Sequence, residues 1–189
     1  MNKSVFAGAA LLVASTAAAS VYNESIDGDL SGDRFNPTFI DFGLGQNTVI
    51  NETVDAEIPG GDIDYFTFTV GAGQWVDSII IADTFNPNGG LDMGVFVGLA
   101  FDDFFDFNID DFTGDGLEGF LITDFTNVGF ESIETLSGGL TTLGEGDYTL
   151  WIQQGNVDIT RVTAHINIVP APSSLAVLGA MGMMARRRR

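Results

Sequence analysis

Cysteine is absent, so no disulfide staples this chain and no thiolate is available as a nucleophile or metal ligand. Histidine occurs once, at His165. Zinc centres normally draw on several His or Cys ligands, so a catalytic zinc site has no donor set here. A serine hydrolase would need a nucleophile and an orienting carboxylate gathered around that one imidazole, and no serine stands in a nucleophile elbow. Positive charge is nearly as scarce. Of seven Lys and Arg residues, Lys3 and Arg186 to Arg189 lie at the two ends. Arg34 and Arg161 alone face all twenty-six carboxylates between Ser20 and Val169, a formal charge of −24 where the whole chain carries −19. Such a surface repels nucleic acid and attracts cations. Paired carboxylates of the glycoside-hydrolase kind fit this composition. With twenty-six acids, however, any two can be paired on paper, and the chain reads as a non-enzyme.

What is plentiful is phenylalanine, at sixteen residues, and glycine, at twenty-four. Aromatic residues fill sheet faces and glycine fills tight turns, so the composition predicts a sheet protein with many turns. The part between the terminal segments, residues 20–168, suits one domain, burying roughly 70% of its unfolded surface.

Both ends read as addresses. Lys3, the apolar run Val5 to Ala14 and the small residues Ala17, Ala18 and Ala19 form a signal peptide over residues 1–19, cut after Ala19 or one residue later. Export machinery and signal peptidase are the partners this implies. At the other end, residues 169–189 contain Pro170-Ala171-Pro172, an apolar stretch from Leu175 to Ala185, and Arg186, Arg187, Arg188 and Arg189. The apolar stretch has eleven residues, short of the ~17–25 of a spanning helix. The arginines suit an anionic cytoplasmic leaflet. This three-part order resembles the PEP-CTERM sorting signal. The resemblance implies a short hydrophobic transmembrane helix held briefly in the inner membrane and cleavage by an exosortase-like membrane protease. It also implies delivery to the cell surface or extracellular matrix of a Gram-negative-type bacterium. Ala171 stands where the family usually has Glu.

Between the signals, alternation predicts strands. Thr48 to Ile58 presents Ile50, Val54 and Ile58, and Pro59 to Asp62 turns. Asp64 to Val70 alternates Phe66, Phe68 and Val70 against Tyr65, Thr67 and Thr69 as a half-buried strand. Gly71 to Gln74 turns again, and Trp75 to Ala82 reads as an interior strand, antiparallel to its predecessor. Met93, Val95, Val97 and Leu99 share a core parity; Phe120 to Thr123 and Val128 to Leu136 read as further strands. Tyr148, Leu150 and Ile152 share one face, as do Val162, Ala164, Ile166 and Ile168, which leaves His165 on the polar side. The fold class is all-β, an antiparallel β-sandwich.

Gly61-Asp62-Ile63-Asp64-Tyr65-Phe66-Thr67-Phe68-Thr69-Val70, with Gly71 to Gln74, resembles the bacterial pre-peptidase C-terminal domain. Leu91 to Val97 and Gly144 to Leu150 resemble that family's later strands. Over Asn47 to Ile168 the resemblance implies a jelly-roll sandwich serving as a non-catalytic accessory module of secreted proteins. No catalytic domain accompanies it in this chain.

Two stretches carry candidate sites. Asp27, Asp29, Ser31 and Asp33 alternate oxygen donors around Gly28 and Gly32, an arrangement able to wrap calcium. A complete EF-hand loop would need Glu where Thr38 stands, so a solvated acidic turn is the competing reading. Asp110 to Glu118 is a second oxygen-rich loop with the same two readings. Phe101, Phe104 and Phe105, interleaved with aspartates, and Trp151 are candidates for docking an extracellular polysaccharide; a hydrophobic cluster under a loop is the alternative. The functional expectation is an exported, non-catalytic surface or matrix protein. A carbohydrate- or calcium-binding module is the second reading and a glycoside hydrolase the third.

Overall fold

Alternating β-branched and aromatic residues build nine strands among the described residues. They are β1 (Val21–Asn23), β2 (Thr38–Phe39), β3 (Gly45–Thr53), β4 (Ile63–Val70), β5 (Gln74–Phe85), β6 (Val95–Ala100), β7 (Gly119–Thr123), β8 (Gly146–Gln154) and β9 (Thr160–Pro170). Two helices of four residues each, α1 (Glu24–Asp27) and α2 (Ile133–Leu136), interrupt them. The computed structural model describes residues 18–53, 62–85, 95–107, 116–123, 129, 131–154 and 160–171. Residues 1–17 of the expected signal segment, the tail from Pro172 to Arg189 and most of the Asp110 to Glu118 loop lie outside them. Among the described residues no helix is long and apolar enough to cross a membrane.

The strands form a four-stranded sheet in the order β1-β3-β9-β5 and a five-stranded sheet in the order β2-β4-β8-β6-β7. The long ladders are antiparallel: β3 and β5 flank β9, and β4 and β6 flank β8. The two short additions, β1 on β3 and β2 on β4, run parallel, so the purely antiparallel expectation is corrected to a mixed one. The cause is the path of residues 24–44, which leaves the first sheet after β1, adds β2 to the second and returns as β3. A crossover of this length lets β1 and β3 run the same way.

Consecutive strands also change sheet more often than their short turns suggest. Gly71 to Gly73 carries the chain from β4 in the five-stranded sheet to β5 in the other. That strand is an edge strand rather than an interior one. Register shifts at Val76/Ser78 and Ile81/Asp83 and isolated bridges to Leu143 and Glu131 interrupt the edge, which discourages pairing with another chain. Of the strand expected over Val128 to Leu136, the described residues from Glu131 onward form instead an isolated bridge and α2, whose Ile133 and Leu136 are buried.

The core lies between the sheets. Val49 of β3, Val76, Ile79 and Ile81 of β5, and Val162, Ala164, Ile166 and Ile168 of β9 face Phe66, Phe68 and Val70 of β4, Leu150 and Ile152 of β8, and Val95, Val97 and Leu99 of β6. Phe68 stacks on its cross-strand partner Tyr148 with ring centres 5.7 Å apart. The opposite face of the five-stranded sheet is covered too: Tyr65, Ala100, Phe105 and Trp151 form a second buried cluster. β4 is therefore buried on both faces at Tyr65 and Thr67 as well as Phe66 and Phe68. The half-buried expectation missed the chain that covers it. Each large side chain taken from water contributes about 1.5–3 kcal/mol, so this second layer supplies a substantial share of the stability.

Candidate functional site

Two of the polar residues at core parity, on strands of opposite sheets, meet. Asn51 of β3 shares the inward parity of Val49 and is fully buried. The parity of Phe66 and Phe68 also holds Asp64 of β4, which is 1% exposed. They meet across the sandwich: Asn51 Nδ2 donates to Asp64 Oδ2 at 2.6 Å. Four residues earlier on β3, Asn47 shows what a satisfied buried amide looks like. Its Oδ1 accepts the N–H groups of Ser20 and Gly43, and its Nδ2 donates to the carbonyls of Gly43, Gly45 and Ile166. Asn51 Oδ1, by contrast, is buried without a partner. Leaving such an acceptor unmade costs about 1–3 kcal/mol. Trp75 Nε1, Thr84 Oγ1 and Trp151 Nε1 share that condition, but only the Asn51 amide borders an acidic cluster.

The chain between the first two strands completes the cluster. Asn23 caps α1 by accepting the Ser25 N–H at 3.1 Å, and this turn delivers Glu24, 8% exposed, to the sandwich. Its carboxylate accepts the Leu30 N–H at 2.8 Å and the Glu52 N–H through its other oxygen. Those bonds tie the helix to β3. Gly28, at φ 106°, turns the chain out of α1, a conformation that favours glycine, and Asp29 follows. Ligand oxygens of Glu24, Asp29 and Asp64 all lie within 4.8 Å of one another.

Burial pushes the Asp64 carboxyl up to about 8, with the Glu24, Asp62 and Asp29 charges acting in the same direction and the Asn51 N–H opposing. Glu24 is pushed up to about 7, again chiefly by burial, against the backbone N–H groups of Glu52 and Leu30. Neither acid has an ion-pair partner: among the described residues the one salt bridge joins Arg161 to Glu52 at 2.6 Å. Three carboxylates and an amide oxygen are hard donors of the kind calcium prefers. Opposite ligands of a calcium ion stand about 5 Å apart, at bond lengths of about 2.3–2.6 Å. The cluster can chelate a divalent ion.

Of the four residues read from the first acidic loop, only Asp29 joins this group. Asp27 accepts the Asn23 N–H. Ser31 accepts the Asp33 N–H, and its own N–H goes to Thr38. The two carboxylate oxygens of Asp33 hold the Phe35 N–H and the Asn36 amide, bonds that lower its pKa. These contacts organise a turn rather than one ion's shell. Glu24, Asn51 and Asp64 were missed as site residues.

The aromatic candidates divide in two. Phe105 and Trp151 are fully buried, with rings 5.7 Å apart in an edge-to-face contact, so their faces are spent on the second cluster and unavailable for docking. Phe101 is 39% exposed and Phe104 half-buried. His165 lies half-buried on the outward side of β9, its Nδ1 3.1 Å from Thr48 Oγ1. Ala19 is exposed beside the start of the first sheet. Pro170 is the last residue of β9, opposite Gln74, and the Ala171 N–H donates to the Gly73 carbonyl at 2.8 Å. Ala17, Pro172 and the arginines of the tail lie outside the described residues.

Fold and site together define a two-sheet β-sandwich with a cluster of carboxylates drawn from α1, the turn after it and β4. No family model matches the chain, and no curated protein does. Among solved structures it is similar to the pre-peptidase C-terminal domain of a collagenase from Bacillus anthracis, at 15% identity and a TM-score of 0.28, over 70% of this chain and 93% of that one. At that score the strand pairing described above, and not the likeness, carries the fold.

Proposed function

We propose that the chain is an exported, non-catalytic surface or matrix protein, a jelly-roll sandwich whose inter-sheet site holds a calcium ion. The observation that carries the calcium reading is the cluster of three carboxylates, one of which, Asp64, is bonded to an Asn51 amide whose own oxygen is buried without a partner. Asn51, Asp64 and Glu24 come from β3, β4 and α1, so an ion shared among them would fasten both sheets and the amino-terminal segment at once. Calcium replaces the protons that burial otherwise forces onto Glu24 and Asp64, and gives Asn51 Oδ1 a partner.

Export rests on the terminal segments, and two contacts of Ser20 would survive a cut before it. Ser20 donates its N–H to Asn47 Oδ1 at 2.8 Å and accepts the Thr48 N–H at 2.9 Å. Cutting after Ala19 would leave a Ser20 ammonium on the same acceptor, now charge-assisted. At the other end, Pro170 closes β9, so an exosortase-type cut that spares the sheet falls beyond Ala171.

Thermal unfolding of the chain in chelator and in millimolar calcium tests the site. Calcium should raise the melting temperature of the parent and leave Asn51→Leu and Asp29→Asn with little response. An unchanged parent would end the calcium reading. The intact mass and location of the protein in its own cells test export. A mature species beginning at Ser20 and ending after Ala171 is expected, and a full-length cytoplasmic species would overturn it.

A further inference from the structure

The stretch after β6 lies over the outer face of the five-stranded sheet and is pinned there at three points. Phe105 is wholly buried against Tyr65 and Trp151. Its N–H donates to the Arg34 carbonyl at 2.8 Å, and the Thr149 hydroxyl donates to the Asp102 carbonyl at 2.8 Å. Beside this anchor is a cavity of about 240 Å3 lined by Phe101, Asp102, Phe104, Asp106, Gly116 and Glu118. Because the anchor residue is core, the walls are held in place before anything binds.

The side-chain chemistry of the lining is one-sided: two aromatic rings and three carboxylates, with no cation among them. The one salt bridge among the described residues is elsewhere, and the bond recorded for the Asp102 carboxylate is the one it accepts from the Asp103 N–H at 2.8 Å. A bare metal ion fits poorly, since the one three-ligand group among the described residues is Glu24, Asp29 and Asp64. An extended glycan fits poorly as well. The volume is below the ~300–1,000 Å3 of typical ligand clefts, and sugar hydroxyls accept as well as donate, whereas ionised carboxylates only accept.

A cationic head on an apolar stem matches both halves of the lining. Carboxylates bind N–H donors strongly, and ring faces attract the charge while packing the stem. The rim already contains such a pairing. The Arg34 guanidinium lies 4.5 Å from the centre of the Phe35 ring, and Phe35 is 6.2 Å from Phe104, centre to centre. Arg34 Nη1 donates to the Asp106 carbonyl at 3.3 Å.

We propose that this cavity captures a single basic side chain, lysine or arginine, presented by a partner polypeptide. The −24 charge between Ser20 and Val169 favours a basic partner at long range, and the cavity supplies the specific contact. Neither depends on the calcium site.

The test uses the full chain and blocked amino-acid amides followed by NMR chemical-shift titration. Lysine and arginine amides should bind in the millimolar range, shift resonances of residues 101–106 and 116–118, and weaken as salt rises. The norleucine amide, which keeps the stem and lacks the charge, should not bind. Asp106→Asn/Glu118→Gln should weaken binding about tenfold, and Phe104→Leu severalfold, with melting temperatures near the parent's. Equal binding of norleucine, unchanged binding by the double variant, tighter binding of glucosamine oligomers, or no binding of the basic amides would each overturn the proposal.

Discussion

Replacing Asp64 with Asn keeps the shape of the side chain, retains an acceptor for the Asn51 N–H, and removes the charge. In the unfolded chain this carboxyl has its ordinary pKa of 3.8, and in the fold burial pushes it up to about 8. At neutral pH without a divalent ion, the folded protein must therefore hold a proton that the unfolded chain releases. Each tenfold change in proton affinity is about 1.4 kcal/mol, so the interval from 3.8 to pH 7 amounts to about 4 kcal/mol lost from stability. The sign follows from proton counting. Between the two pKa values the folded state binds more protons, so stability falls as pH rises through that window and levels off above about 8. Glu24, pushed up to about 7, tilts the dependence in the same direction. In chelator at pH 8, Asp64→Asn should melt above the parent. A domain of this size shifts roughly 2–4 °C per kcal/mol, so about 4 kcal/mol corresponds to a gain of about 8–16 °C. The parent's melting temperature in chelator should fall from pH 5 to pH 8, and the variant's should fall less. In calcium the order should reverse, because only the parent keeps the charged ligand. Circular dichroism melts across pH, with and without calcium, measure all of this. A variant that melts below the parent at pH 8 in chelator would refute the reasoning, as would an equal calcium response in both proteins.

Phe105→Ala should lose about 3–5 kcal/mol in urea unfolding because it empties the second cluster, whereas Phe101→Ala, on the surface, should change stability by less than about 0.5 kcal/mol. Equal losses would mean that the loop is not anchored as described. Gly119→Ala should also destabilise strongly, since an added Cβ would stand 2.6 Å from the Leu136 carbonyl oxygen and against that of Thr135. Backbone at that spot has little room to yield, and a loss beyond about 1–3 kcal/mol is expected. If the chain is exported as proposed, neutral replacements of Arg186 to Arg189 should impair its retention and processing, as read from a pulse-chase of its size and location; unchanged processing would remove any role for those charges.

Strand alternation made β8 and β9 legible: Leu150 and Ile152, and Val162, Ala164, Ile166 and Ile168, are buried on one face as their parity requires. The same rule misassigned β3. Ile50 marks the apolar parity of this strand in the sequence, yet Asn47, Val49 and Asn51 are the buried residues and Ile50 is half-exposed. Parity is inferred from hydrophobicity, and two asparagines around a single valine invert the apparent pattern. That inversion concealed the site. A buried amide or carboxylate at core parity is costly unless it is partnered, so Asp64 in line with Phe66, Phe68 and Val70 was the local signal available. It was read as the opening of a strand because nothing nearby in sequence offered a partner. The partners come from the other sheet and from α1, and the short turn of Gly71 to Gly73 gives no sign that the chain is changing sheets there. Contiguous oxygen donors such as Asp27, Asp29, Ser31 and Asp33 attract attention for the opposite reason, since a loop can wrap an ion without tertiary help. Here most of that loop's oxygens are used in holding its own turn, and the one that is not, Asp29, is carried to ligands the loop does not contain. Closeness in sequence serves turns; this cluster needs the sandwich to be closed before its donors meet, which is why an ion bound there should act on the stability of the whole fold.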